Sequence, residues 1–124
     1  MYADTYFFLA LLKPSDWLKN RAESIYSERK EKIRTAEVTF IELLLLAKRF
    51  GLPAIKTTAA AMKISNYNDT IPLRAAKYIE EGVGVFDAFH AAHCKKKEKI
   101  ISSDHIYDSL GLERVKLEEC KEES

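Results

Sequence analysis

Apolar runs alternate along the chain with charged or turn-forming punctuation, and that rhythm predicts the elements. Residues 5–12 are apolar on most faces and stop before Pro14, which predicts a first helix after a short extended start at residues 1–3. Ser15-Asp16 offers an N-cap for a second helix to about residue 32, with Trp17, Leu18, Ala22, Ile25 and Tyr26 at helical spacing. The opposite stripe, including Lys19, Arg21, Glu23 and Arg29, reads as a solvated face. Residues 33–38 predict a strand. Thr39 then caps a long apolar helix to about Phe50, which Gly51 stops. Pro53 starts a helix through Lys63, residues 65–70 form a loop, and residues 72–81 form a helix ended by Gly82. After Gly84 a helix is predicted over residues 86–97. A short buried-type strand follows at 99–102, a short helix at 106–110 ended by Gly111, and a last strand at 114–117. Strands alternating with helices predict the α/β class with a mainly parallel sheet.

Length and composition narrow this picture. A chain of 124 residues, 47% of them apolar, suits one core, expected to occupy residues 1–117 and to leave a charged, frayed tail at 118–124. Twenty basic residues nearly cancel nineteen acidic ones, so any footprint for nucleic acid must be local. Cys94 and Cys120 stand in no metal or redox spacing, which fits reduced thiols and a cytoplasmic protein. No charged-then-apolar leader is visible, and no apolar run nears the roughly 20 residues of a membrane span.

Four acids stand where a carboxylate is hard to treat as decoration: Asp4, Glu42, Asp87 and Asp104. On a helix, Glu42 shares its face with Val38, Thr39, Leu45 and Leu46, three of them apolar, so that face is expected to meet a core or a cleft. A carboxylate there needs a cation, either a metal ion or a basic side chain. Asp4 and Asp104 each follow an apolar strand and precede a helix. They therefore suit either the ligand-binding edge of a parallel sheet or plain helix N-caps, and Asp87, near the start of its own helix, also suits a cap. Asp108 is a candidate for supporting contacts. Several carboxylates in one place repel and raise one another's pKa unless a cation joins them, and oxygen-only ligands favour Mg²⁺ or Mn²⁺. Such an ion can activate water against a phosphodiester.

Other chemistry reads more plainly. His90, His93 and Cys94 share a helical face without a fourth ligand nearby, which suits a packed or exposed face better than zinc. His105 is either a phosphate contact or an exposed first-turn histidine. The run from Lys95 to Lys99 suits a helix C-terminus or an RNA backbone, with Lys13, Arg49 and Arg74 as other basic contacts. Tyr6, Phe7, Phe8 and Phe40 suit a core or a partner surface.

The four acids and their surroundings resemble the PIN-domain nucleases, and within them the VapC-type toxins. Met1-Tyr-Ala-Asp4-Thr-Tyr-Phe-Phe is similar to the family's first strand, acid and helix. Thr39-Phe-Ile-Glu42-Leu-Leu resembles its second acidic motif, Phe86-Asp87-Ala-Phe-His-Ala-Ala its third, and Ile101-Ser-Ser-Asp104-His-Ile-Tyr its fourth. The resemblance covers almost the whole chain. It implies an α/β/α sandwich around a central parallel sheet and a metal-dependent endoribonuclease. Asp4, Glu42, Asp87 and Asp104 would be both catalytic residues and ligands of Mg²⁺ or Mn²⁺, and Ser102 or Ser103 would orient an acid or a water. The resemblance further implies an RNA substrate, a homodimer and an antitoxin partner whose tail blocks the acidic pocket. His93 departs from the family's usual small or hydroxyl residue near that place. Two rivals remain: a non-catalytic PIN-fold module that binds protein or RNA, and an acidic-pocket phosphatase on a similar sheet.

Overall fold

The computed structural model describes residues 1–118. Helix α1 (Thr5–Leu12) forms where the pattern predicts it. Its last turn carries no basic residue, so its final carbonyls need an outside donor. Lys19 supplies one, its ammonium donating to the carbonyls of Leu11 at 2.7 Å and Lys13 at 2.9 Å. Lys19 is therefore a cap rather than part of a solvated stripe. It also opens α2 (Lys19–Arg29). The predicted cap, Asp16, lies too early, because its carboxylate accepts the Leu18 N–H at 2.9 Å and closes a turn ahead of the helix. Trp17 consequently precedes α2 and is 89% exposed, and Ala22 is the one buried residue of that helix.

The strand expected at 33–38 shrinks to a single parallel bridge between Tyr2 and Arg34. Helix α3 (Glu37–Arg49) begins there instead, with Ala36 at its cap and Glu37 favouring the positive end of the helix dipole. Thr39 is buried inside the first turn rather than capping it. The predicted stop at Gly51 holds: its φ of +69° lets the Leu52 N–H reach the Ala47 carbonyl at 2.8 Å. Asn66 plays the same part after α4 (Ala54–Ile64), at φ +56°.

Helices α5 (Ile71–Glu80) and α6 (Val85–His93) follow. Ala75 and Ala76 on one and Ala88 and Ala92 on the other are fully buried. Side chains this small let two helix backbones approach closely. The core is completed by Phe8 and Leu9 from α1, Phe40, Leu43 and Leu44 from α3, Ala61 and Ile64 from α4, and Phe89 from α6. Helix α6 ends four residues before the predicted Lys97. The lysine run therefore lies in a turn, with Lys97 at φ +67°, and not on a helix end.

Strands β1 (Ile100–Ser102) and β2 (Arg114–Lys116) pair in parallel, Ile100 opposite Arg114, with α7 (Ile106–Ser109) between them in sequence. β1 is not the buried strand its apolar residues suggest, since Ile101 is 67% exposed. The architecture is mostly helical with a small parallel sheet: among the described residues, one two-stranded pair and one separate bridge.

Candidate functional site

Asp4 is the N-cap of α1. Its extended backbone, at φ −93° and ψ −177°, lets a carboxylate oxygen accept the Tyr6 N–H at 3.1 Å. The next residue, Thr5, is buried, and its hydroxyl donates to Glu42 across 37 residues of sequence in a short hydrogen bond. Thr5 thus ties Glu42, in the middle of α3, to the residue that follows Asp4 at the start of α1. The face of α3 that bears Glu42 is not the core-facing one the sequence suggests. Val38 is 63% exposed and Leu45 44%, whereas Thr39, Phe40, Leu43, Leu44 and Ala47 form the buried side. Glu42 is itself exposed, so its carboxylate faces solvent and needs no buried partner.

The second half of the site gathers around Tyr107 on α7, a buried side chain. Its hydroxyl donates to Asp87, in the first turn of α6, at 3.4 Å. Burial pushes the Tyr107 phenol up, and the nearby Asp87 and Asp104 carboxylates push it further, to about 12. Asp104 accepts the Ile106 N–H at 3.0 Å in a short turn, while its own N–H donates to the Ser102 hydroxyl at 2.9 Å. The Ser102 hydroxyl therefore meets the backbone amide of Asp104 and not its carboxylate. Ser103 is exposed.

Each of two hydroxyls therefore reaches one acid: that of Thr5 bonds Glu42, beside Asp4 in sequence, and that of Tyr107 bonds Asp87 with Asp104 near it. Hard carboxylate oxygens suit a hard divalent cation. Among the described residues, however, no three His, Cys, Asp or Glu side chains stand together as a metal set. Asp4 also lines a cavity of about 460 Å³ with Met1, Tyr2, Phe7, Ile25 and Ile33.

The remaining candidates lie elsewhere. His93 Nε2 donates to the Glu37 carboxylate at 2.9 Å, which ties the end of α6 to the start of α3. Arg74 donates to the Cys94 carbonyl at 3.2 Å. Burial, first, and then Glu98 raise the Cys94 thiol pKa, keeping it a thiol. Cys120 lies outside the described residues. Lys13 pairs with Asp16 at 3.6 Å and covers the Phe50 ring. His105 faces Asp108 and Glu118 rather than an open phosphate site. Thr5 and Tyr107 carried no warning in the sequence, because each acts across a long separation.

The Tyr107 environment has a measurable consequence. Its phenol holds its proton to about 12 when folded, against an ordinary value of 10.0. The stability this gives is complete below pH 10 and is lost as pH rises through about 12. Urea unfolding between these limits is expected to show a steeper loss of stability in the wild type than in Tyr107→Phe. Equal slopes would show that the phenol keeps no such environment.

The comparisons with known proteins add one match. The family model for the PIN domain matches residues 1–111. No curated protein and no solved structure matches the chain.

Proposed function

The chain belongs to the PIN-domain family, and on that premise we propose that residues 1–117 form one domain that hydrolyses RNA phosphodiesters with Mg²⁺ or Mn²⁺. PIN domains are generally nucleases that act on nucleic acid, usually with divalent ions. The observation that carries the metal-dependent reading is the pairing of the acids: Glu42 tied to the residue after Asp4, and Asp87 and Asp104 beside one phenol.

Asp4, Glu42, Asp87 and Asp104 would hold the cation. When bound, it activates a water and offsets charge gathering on the phosphate. The protein's own groups prepare for this. The Thr5 hydroxyl orients Glu42, the Tyr107 hydroxyl orients Asp87, and the Ser102 hydroxyl holds the Asp104 amide. Because the Tyr107 phenol is held neutral, it donates a hydrogen bond to Asp87 without adding charge. Carboxylate oxygens gathered at one place would favour uptake of a hard positive ion.

The finer reading is an α/β/α sandwich in which the two parallel pairings belong to one central sheet. It is a VapC-like endoribonuclease, cytoplasmic and homodimeric, held in check by an antitoxin. Among the described residues no helix is long and apolar enough to cross a membrane.

A panel of single-stranded RNAs incubated with the protein and Mg²⁺ or Mn²⁺ tests the proposal. Cleavage leaving 5′-phosphate ends is expected, stopped by EDTA and restored by excess Mn²⁺. Cutting that continues in EDTA would falsify the metal assignment. One observation favours the rival, a non-catalytic PIN-fold module: no three candidate ligands stand together among the described residues. Calorimetric titration with Mn²⁺ separates the two, since a folded protein that takes up no ion at millimolar concentration is the module.

A further inference from the structure

The most heavily bonded cation among the described residues is Arg114, at the start of β2 and outside the matched family segment. Its side chain is only 1% exposed. Nε and Nη2 donate to the two oxygens of Asp108 at 3.1 and 3.2 Å, a forked contact that fixes the guanidinium plane. Nη1 donates to Glu118 at 2.9 Å and to the Ser102 carbonyl at 2.8 Å. The hydrogen bonds from Arg114 hold the Asp108 and Glu118 carboxyls below the usual carboxylate range.

These partners are not scattered. Ser102 is the last residue of β1, and Asp108 lies on α7. Between them runs the turn that carries Asp104. The same Ser102 that gives its carbonyl to Arg114 gives its hydroxyl to the Asp104 N–H at 2.9 Å. Arg114 thus fastens both flanks of that turn, its Nη2 also lies 3.4 Å from His105 Nδ1 next to Asp104, and it makes no hydrogen bond to Asp104 itself. A structural ion pair would need only Asp108 or Glu118. The contacts to the Ser102 carbonyl and to His105 are the ones that reach the residues around Asp104.

We propose that Arg114 is a positioning residue that clamps the β1–α7 turn and so sets the direction of Asp104. This rests on the reading of Asp104 as a site residue, although the clamp itself is testable without it. Lysine cannot replace the arginine in full, because a point charge can reach one partner but cannot span a fork and a carbonyl together.

The test uses metal-free full-length protein and reads amide hydrogen exchange residue by residue. In Arg114→Met, exchange at Asp104 and Ile106 is expected to rise about tenfold or more while α3, α5 and α6 keep their protection. Arg114→Lys should restore part of it. Mn²⁺ affinity by calorimetry should fall about tenfold in Arg114→Met, the scale of a lost supporting contact. Unchanged exchange at Asp104 and Ile106, or a rise spread evenly over all helices, overturns the clamp. Should Arg114→Met fail to fold, Arg114→Lys decides, since it keeps the charge but cannot make the fork and the carbonyl contact together: a local rise at Asp104 and Ile106 supports the clamp and wild-type exchange there overturns it. Failure of wild-type protein to bind Mn²⁺ would count against the proposed function while leaving the exchange result to judge the clamp.

Discussion

Asp4→Asn is expected to leave the protein folded and to lower RNA cleavage by about 100-fold or more, the scale of losing one aligned electrostatic group at a reacting phosphate. The substitution separates the two roles open to this residue. As an N-cap, Asp4 needs only an oxygen that accepts the Tyr6 N–H, and asparagine keeps one. As a cation ligand it needs the negative charge, and asparagine removes it. The midpoint of urea unfolding should therefore move little while the cleavage rate collapses. Asp104→Asn is the parallel case, because its contact to the Ile106 N–H also survives the change. Wild-type cleavage rates in both variants would reduce these acids to caps and leave the proposed chemistry without its donors.

The largest effect on stability is expected at Phe40. The ring is fully buried on α3 and lies 4.7 Å from the Tyr67 ring, centre to centre. Truncation to alanine loses its transfer free energy, its aromatic contact and the packing around the hole, together about 3–5 kcal/mol. Against a total stability of about 5–15 kcal/mol for a domain of this kind, that is a large fraction. Val38→Ala, two residues away on the same helix but 63% exposed, is expected to change stability by about 0.5 kcal/mol or less. Denaturant unfolding of the pair checks both. Equal losses would mean that the buried and exposed faces of α3 have been exchanged, and with them the position of Glu42.

That face is also where pattern reading reached its limit. Helix α3 carries apolar residues around most of its circumference, so periodicity identifies a helix but cannot choose which stripe is buried. The choice fell to packing against α1, α4, α5 and α6, and it turned Glu42 outward with Val38 and Leu45. Trp17 shows the same limit from the other side. Its spacing fits an α2 stripe, but the helix starts two residues later, once Asp16 has closed its own turn.

What the chain alone determined was local. Helix α1 and the stop at Gly51 follow from apolar runs, proline and a left-handed backbone that only a few residues tolerate. The four acids were recognisable one at a time by their neighbours. Only the tertiary structure could bring the Thr5 hydroxyl to Glu42, the Tyr107 hydroxyl to Asp87 and the Arg114 guanidinium to Ser102. Hydrogen bonds between residues distant in sequence leave no periodic trace, and a threonine, a tyrosine or an arginine has many possible partners until the backbone has folded.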